Sequence, residues 1–419
     1  MPLLRNWRKK PVTKNSEKRV PALRFKGFTN DWEQRKLGDI SEIIRGASPR
    51  PISDPKWFNS NSNIGWLRIS DVTAQHGRIQ HLSQHISILG QAKTRVISTP
   101  HLLLSIAASV GYPVINYVKT GVHDGFLIFE NPKFNIDFGF YWLAFYKHEW
   151  QKFGQPGSQV NLNSSIVKKT NIGLPDNVEQ KAIVHLLKLI VNCITLQQRK
   201  VKILVLLKKE ISNYYFSPSY LSRSCKENSF KEIFTVVTDY VANGSFKSLR
   251  ENVKTNTKQG YAYMIRLQDA SNNWKGPWLY TDKSGYNFLK KSKIYPGDIV
   301  MSNVGSVGKI IRIPKLSKPM TLAPNAILLR STKYDNDFLY ELLKSDYGKN
   351  KIKRMTTPGV QNKINKTDFK KIKVHLPNSQ EQKRISCLLT NMNILIHEVK
   401  SNISQKQKLK QFLLQNMFI

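Results

Sequence analysis

Leu174–Phe216 reads LPDNVEQKAIVHLLKLIVNCITLQQRKVKILVLLKKEISNYYF, and Leu376–Phe418 reads LPNSQEQKRISCLLTNMNILIHEVKSNISQKQKLKQFLLQNMF. The two stretches align without a gap. Leu174, Pro175, Glu179, Gln180, Lys181, Ile183, Leu186, Leu187, Ile194, Leu207, Lys208 and Phe216 all recur at one constant offset. A chain that states one element twice is built from a repeat, and the repeat decides the fold.

Each copy has the pattern of a long helix. Pro175 or Pro377 marks the start. Asn177 or Ser379 is the expected N-cap, with Gln180 or Gln382 three residues on as in a capping box. Glu179 and Glu381 fall in the first turn, where the helix dipole favours an acid. Apolar residues then recur in steps of four and three: Ile183, Leu187, Ile190, Ile194, Val201, Leu204 and Ile211 in the first copy. The second has Ile385, Leu389, Met392, Ile396, Val399, Ile403 and Leu413. That spacing predicts a coiled-coil seam. Lys208, Lys406 and Lys410 interrupt it, while Leu409 and Phe412 stand on a neighbouring stripe, so the seam is expected to drift. An ordinary amphipathic surface helix would explain one such seam; two matching seams favour pairing with each other. A helix over 177–215 would be about 57 Å long.

The whole chain of 419 residues carries 66 Lys+Arg against 28 Asp+Glu, a net charge of +38. A surplus this large calls for a polyanion, nucleic acid first and an anionic membrane surface second. No apolar run approaches 18 residues, so no spanning segment is expected. Residues 1–20 are basic without an apolar core, unlike a secretory signal, and read as a disordered arm that attracts phosphate without sequence preference. Cys193, Cys225 and Cys387 are few, distant and odd in number, which suits a reducing, cytoplasmic compartment.

The segments before each helix also match. Leu37–Ile44 and Ile64–Val72 have the alternation of strands. Residues 102–118 form an apolar Gly- and Ser-containing piece, Phe126–Phe129 a strand and Asp137–Trp150 a short aromatic helix. In the second half, residues 229–245 stand for 36–48, and 263–271 for 66–74, setting Arg266 and Asp269 against Arg68 and Asp71. Residues 298–313 parallel the 102–118 piece, and 358–377 parallel 156–175 without a gap. The order is globular domain (21–175), helix (176–216), globular domain (217–376, opening on a linker over 217–229) and helix (377–419). The predicted class is α+β: two similar α/β domains separated by two long helices in an antiparallel coiled coil, with an internal pseudo-two-fold repeat. One scaffold with two sets of loops suggests two similar tasks on different targets.

Residues that mimic catalytic motifs have plainer explanations. Asn131-Pro132-Lys133-Phe134 resembles an amino-methyltransferase motif, but Lys replaces its second Pro and no Gly-rich cofactor loop precedes it. Asp176 and Glu179 imitate a metal-dependent nuclease pattern, yet both sit within one helical turn, where two carboxylates cannot close on one metal from separate elements. Gly305-Ser306-Val307-Gly308-Lys309 lacks the earlier Gly and the following Ser or Thr of a phosphate loop. His81 and His85 have no further ligand nearby in sequence. No metal site and no catalytic residue is expected.

DNA reading remains. In the first domain Arg45, Ser48, Arg50, Arg68, Ser109 and Tyr112 lie near predicted turns, and Gln155, Ser158, Gln159, Asn161 and Asn163 crowd one polar loop. Their counterparts are Asn243, Lys247, Arg266, Asn303, Ser306, Lys309, Thr357, Gln361, Asn362 and Lys363. Gln and Asn can pair with adenine, Arg with guanine, and Ser binds phosphate. Arg68 and Arg266 have a competing use, ion pairing with Asp71 and Asp269 inside each domain.

The opening PALRFKGFTNDWEQRKLGDI (21–40), the two LP-x3-EQK-x-I helix starts, the ending KQFLLQNMF (410–418) and the duplication together resemble the specificity (S) subunit of type I restriction–modification enzymes. The similarity covers nearly the whole chain. It implies a non-catalytic subunit whose two target-recognition domains each read half of a split double-stranded DNA site. The paired helices would act as ruler and as platform for methyltransferase (M) subunits, two of them in all. Restriction/translocase (R) subunits would join through the complex. The resemblance implies no cofactor on this chain; S-adenosylmethionine, ATP and Mg2+ would serve the partners. Family helices usually carry Asp eight residues after the first Ile, where this chain has Val191 and Asn393. Rival readings are a self-sufficient nuclease or methyltransferase, for which the duplication leaves no catalytic domain, and an architectural protein that uses charge alone.

Overall fold

The computed structural model describes residues 20–107, 109–150, 152, 162–224, 226–359 and 362–419. The chain divides into two compact units. The first holds residues up to Gln197 together with Asn402–Ile419, and the second holds Gln198–Ser401. Each unit therefore contains part of both long helices.

In the first unit β1 (Glu33–Lys36) leads into one helical turn, Leu37–Ile40, and then β2 (Glu42–Arg45). There follow β3 (Gly65–Trp66), β4 (Arg78–Ile79), β5 (Arg95–Ile97), β6 (Leu102–Ser105), β7 (Pro113–Asn116), β8 (Thr120–Val122), β9 (Phe126–Glu130) and β10 (Asn171–Leu174). One sheet has the order β2-β9-β6-β7-β4, a second β3-β8-β5, and β1 pairs with β10 alone. The fully buried β6, β7 and most of β9 explain why residues 102–118 and 126–129 read as apolar runs rather than alternating strands. Helix Ile136–Trp150 packs Phe138, Trp142 and Trp150 into the core beside β6 and β9.

Two expected strands are partly helical. Leu37–Ile40 makes a turn that buries Leu37 and Ile40 before β2 begins. In 64–72 only Gly65–Trp66 is extended, and Ile69–Ala74 is a helix. The Asp71 carboxylate accepts from the Arg68 backbone N–H at 3.0 Å, turning the chain out of the strand. Short alternation cannot reveal such a local cap.

The second unit repeats the plan. Ser229 caps the turn Phe230–Ile233, followed by the strand Val236–Asp239. With β11 as Lys226–Ser229 and β12 as Val236–Asp239, the later strands are β13 (Thr255–Asn256), β14 (Ala262–Ile265), β15 (Tyr280–Thr281), β16 (Lys293–Ile294) and β17 (Ile299–Ser302). They continue with β18 (Ile310–Arg312), β19 (Met320–Leu322), β20 (Ala326–Arg330) and β21 (Lys373–Leu376). The order β12-β20-β17-β18 reproduces β2-β9-β6-β7, and β14-β19-β16 reproduces β3-β8-β5. Even the parallel pairing recurs, β3 with β8 and β14 with β19. Additions differ: β4 extends one sheet of the first unit, whereas β13 and β15 extend the other sheet of the second. The stretch read as a linker carries the helix Pro218–Ser224 and β11, which pairs with β21 as β1 does with β10.

The long helices run Asn177–Tyr215 and Ser379–Asn416. Their caps lie one residue earlier than expected. The Glu179 N–H donates to Asp176 Oδ1 at 2.8 Å and the Glu381 N–H to Asn378 Oδ1 at 2.9 Å. Gln180 and Gln382 do not close a capping box. Gln180 Nε2 donates to the Pro175 carbonyl and its Oε1 accepts the Asn135 N–H, both at 2.9 Å. Gln382 does the same with the Pro377 carbonyl and the Asp335 N–H. Each glutamine thus ties the start of a long helix to the start of a domain helix, a task invisible from spacing alone.

Every seam residue is shielded at least in part. In the first unit Ile183 and Leu187 share a core with Leu413, Met417 and Phe418. In the second, Ile211 and Phe216 pack with Ile385 and Leu389. Burying one such side chain stabilises by about 1.5–3 kcal/mol. Val191, in the position where an Asp was expected, packs at the edge of the first core. Asn393 donates to Glu341 at 3.0 Å.

Candidate nucleic-acid interface

β2 ends at Arg45 and the chain turns at Gly46. A Cβ at Gly46 would lie 2.1 Å from the His123 carbonyl oxygen, so only glycine lets these backbones approach. The Gly46 N–H donates to the Phe126 carbonyl, and the Ala47 N–H to the Val122 carbonyl, both at 3.0 Å. This lays the loop after β2 against the turn between β8 and β9, where Asp124 sits.

Three of the candidate readers meet there. Ser48 Oγ donates to Asp124 Oδ1 and Arg50 Nη2 to Oδ2, both at 2.6 Å, while Arg45 Nε donates to the Asp124 carbonyl oxygen at 2.6 Å. Arg95 Nε donates to the Arg45 carbonyl at 2.7 Å. Arg50 is 72% exposed. Burial pushes the Asp124 carboxyl up, but the Ser48 hydrogen bond and the Arg50 and Arg45 guanidiniums outweigh it and hold it below the usual range. Burial lowers the neighbouring His123, favouring its neutral form. Three arginines linked in this way, with Asp124 as the one acid among them, leave a cationic face suited to a polyanion.

In the second domain the structure joins two loops. Val304 bridges Lys363, and Thr357 and Lys363 exchange backbone hydrogen bonds at 2.9 and 3.2 Å. The Gly305 N–H donates to the Asn362 carbonyl and the Ile364 N–H to the Asn303 carbonyl. Asn303, Ser306, Lys309, Thr357, Asn362 and Lys363 thereby form one cluster, with Lys309 Nζ donating to Ser271 Oγ at 2.7 Å. Asn303 Oδ1 is buried without a hydrogen bond. Gly305 and Gly308 have positive φ, so the apparent phosphate loop is a tight turn between β17 and β18. The corresponding turn in the first domain carries Ser109, and Tyr112 there lies under Lys147 Nζ, 3.3 Å from its ring centroid.

Other candidates stand apart. Arg68 pairs with Asp71 and donates to Ser83 Oγ, and Arg266 pairs with Asp269 and the Pro277 carbonyl, the competing use foreseen for both. Asn163 caps the helix Ser164–Lys169. Asn243 is a bracket, donating to Tyr240 and Ser292 and accepting from Lys291. Lys247 is exposed on the helix Phe246–Asn252. Gln155, Ser158, Gln159, Asn161 and Gln361 lie outside the described residues. Asp124, Arg95 and Ser271 were missed: each is joined to its partners only by tertiary contact, with no spacing to betray it.

The catalytic look-alikes are occupied structurally. Asp176 caps a helix, and Glu179 is buried, accepting from Arg24 twice at 2.7 Å and from Trp32 Nε1 at 3.2 Å. Asn131 takes a positive φ in a turn whose Lys133 N–H donates to the Ile40 carbonyl. Among the described residues no group of three or more His, Cys, Asp or Glu is placed to hold a metal ion, and no helix is long and apolar enough to cross a membrane.

Comparison with known proteins finds the type I restriction modification DNA specificity domain twice along the chain, over residues 29–207 and 224–406. Two proteins of Methanocaldococcus jannaschii, the MjaX and MjaVIII type I restriction enzyme specificity subunits (the first a provisional name), are 25% and 22% identical over 404 residues. Each alignment spans 91% of this chain, with 91% and 90% of the relatives. The crystal structure of a type I restriction–modification S subunit from M. genitalium covers 96% of this chain and 99% of its own, with TM-score 0.56 and 15% identity. A chain from a structural study of type I complex assembly and conformational transition covers 91% and 96%, with TM-score 0.57 and 16% identity. At such identities these two structures are alike in fold.

Proposed function

The chain belongs to the type I restriction–modification DNA specificity family, and from that premise we propose how it works. It is the non-catalytic DNA-reading subunit, and each domain reads one half of a split double-stranded site. The observation that carries this is the duplication itself: one sheet scaffold appears twice, with different polar clusters on its loops, Asp124 with its arginines in one half and the 303–309/357–363 pair in the other. Residues 21–175 and 217–376 are the reading domains. The long helices pair antiparallel as a coiled coil and set the unread gap.

Partner subunits supply the chemistry. Two M subunits dock on the long helices, where in the second unit Ile203, Leu206, Leu207 and Ile394 remain exposed. R subunits join through that complex. S-adenosylmethionine, ATP and Mg2+ are used by the partners, and the assembly works in the cytoplasm. Exchanging residues 21–173 for the equivalent domain of a relative should change one half-site and leave the other intact in methylation maps. Alteration of both half-sites would overturn the modular reading.

A further inference from the structure

We propose that Asp124 is a positioning residue that presents Arg45 and Arg50 to guanine, so that the first domain's half-site contains at least one guanine read by this pair. The inference rests on the reading above and deepens it.

An acid on a DNA-facing loop is costly, because it repels phosphate unless cations surround it. Asp124 has two such cations at hand, Arg45 and Arg50, and a hydrogen bond on each of its three oxygens. Ser48 takes Oδ1, Arg50 takes Oδ2 and Arg45 takes the main-chain oxygen. The depressed carboxyl keeps this charge in place at neutral pH. A guanidinium has five N–H donors in a planar fork. Arg45 spends only Nε and Arg50 only one Nη2 bond, so each retains donors for the O6 and N7 acceptors of guanine.

Without an anchor, a long exposed arginine samples many rotamers, and ordering it on binding costs free energy. Asp124 meets that cost in the folded protein. Its own position is fixed from behind by the Gly46 approach and by Thr94 Oγ1, which donates to the Ala47 carbonyl at 2.6 Å. The second domain lacks the device. β8–β9 and β19–β20 align residue for residue, and Pro324 occupies the place of Asp124. The dependence should therefore be confined to one half-site.

The test uses the complex assembled with its M subunits and DNA in which each base pair of both half-sites is varied. Methylation mapping first identifies the half-sites; absence of any bipartite site would overturn the proposed function and this inference together. With the site in hand, wild type should discriminate against replacing the first-domain guanine. Asp124→Ala should reduce that discrimination about tenfold, within the five- to 150-fold that one bidentate contact supplies. Discrimination at the second half-site should stay within twofold. Arg50→Lys, which keeps the charge and loses the fork, should relax the same position with little change in salt dependence. A first half-site without guanine would overturn the inference. So would unchanged discrimination in Asp124→Ala, or an equal loss of binding to every sequence. If Asp124→Ala does not fold, Asp124→Asn, which keeps the shape and removes the charge, decides by the same readout.

Discussion

Glu341 offers the sharpest test of how the second domain is fastened to its helices. Its carboxylate is almost wholly buried, on the domain helix Asn336–Lys344. Lys208 Nζ from the first long helix donates to Oε2 at 3.0 Å, and Asn393 Nδ2 from the second donates to Oε1 at 3.0 Å. One carboxylate thus joins three helices. Removing it leaves Lys208, itself only 17% exposed, without its counter-charge. Breaking a buried pair from one side costs about 3–5 kcal/mol. The partial exposure of Lys208 argues for the lower end, near 3 kcal/mol. For a unit of this size each kcal/mol lowers the melting temperature by roughly 2–4 °C, so Glu341→Ala should melt about 6–12 °C earlier.

The double variant Lys208→Met/Glu341→Leu removes both charges and keeps the volume. Because both ions paid a desolvation cost on folding, it should recover most of the loss or exceed wild type. Thermal melts followed by circular dichroism, with urea titrations to check that m is unchanged, measure all three proteins. If Glu341→Ala lost less than about 1 kcal/mol, or the double variant lost as much as the single, the carboxylate would not be the fastening described.

Two further outcomes follow from the long helices. Lys410 aligns with Lys208, but Tyr141 and Val191 stand where Glu341 and Asn393 stand in the other copy. Burial, aided by Arg78, pushes the Lys410 ammonium below the lysine value of 10.5. A lysine lowered on folding penalises the folded state fully below its folded pKa, and the penalty fades as pH rises towards 10.5. Lys410→Met should therefore stabilise at pH 7, with a gain that shrinks through alkaline pH; a constant or growing gain in melts across that range would refute this. A heptad inserted near Gln197–Lys200, with a matching one near Ser401–Asn402, adds about 10 Å of helix. The unread gap should lengthen by about three base pairs with both half-sites retained, as methylation mapping would show; an unchanged gap in a folded variant would mean the helices do not measure it.

Periodic features were legible before the structure. The long helices were readable because a four–three apolar step persists over many turns, and their recurrence doubled the signal. β6, β7 and β9 announced themselves as unbroken apolar runs. What escaped was fixed locally or at a distance. Ile69–Ala74 turns helical through one carboxylate on the Arg68 N–H, against the strand-like alternation around it. The helix caps moved by one residue because Asp176 and Asn378 offered a better acceptor than the next position. The Asp124 cluster joins residues some 75 positions apart, which no local pattern encodes.

The recurring glutamine shows why the scaffold can repeat while the readers diverge. Gln180 and Gln382 bind only main-chain groups: a proline carbonyl ahead of the long helix and an N–H at the head of the domain helix. Such a tie places no demand on neighbouring side chains. Likewise β1–β10 and β11–β21 close each domain through backbone hydrogen bonds. Some side-chain contacts recur, as Arg68–Asp71 and Arg266–Asp269 do, but those on the reading loops and at the Glu341 joint differ, Asp124 against Pro324 and Tyr141 against Glu341. A tie made to main-chain groups survives changes in the loops, whatever side-chain fastening such as Glu341 one copy adds, and this freedom is what a subunit needs if each domain is to read its own sequence.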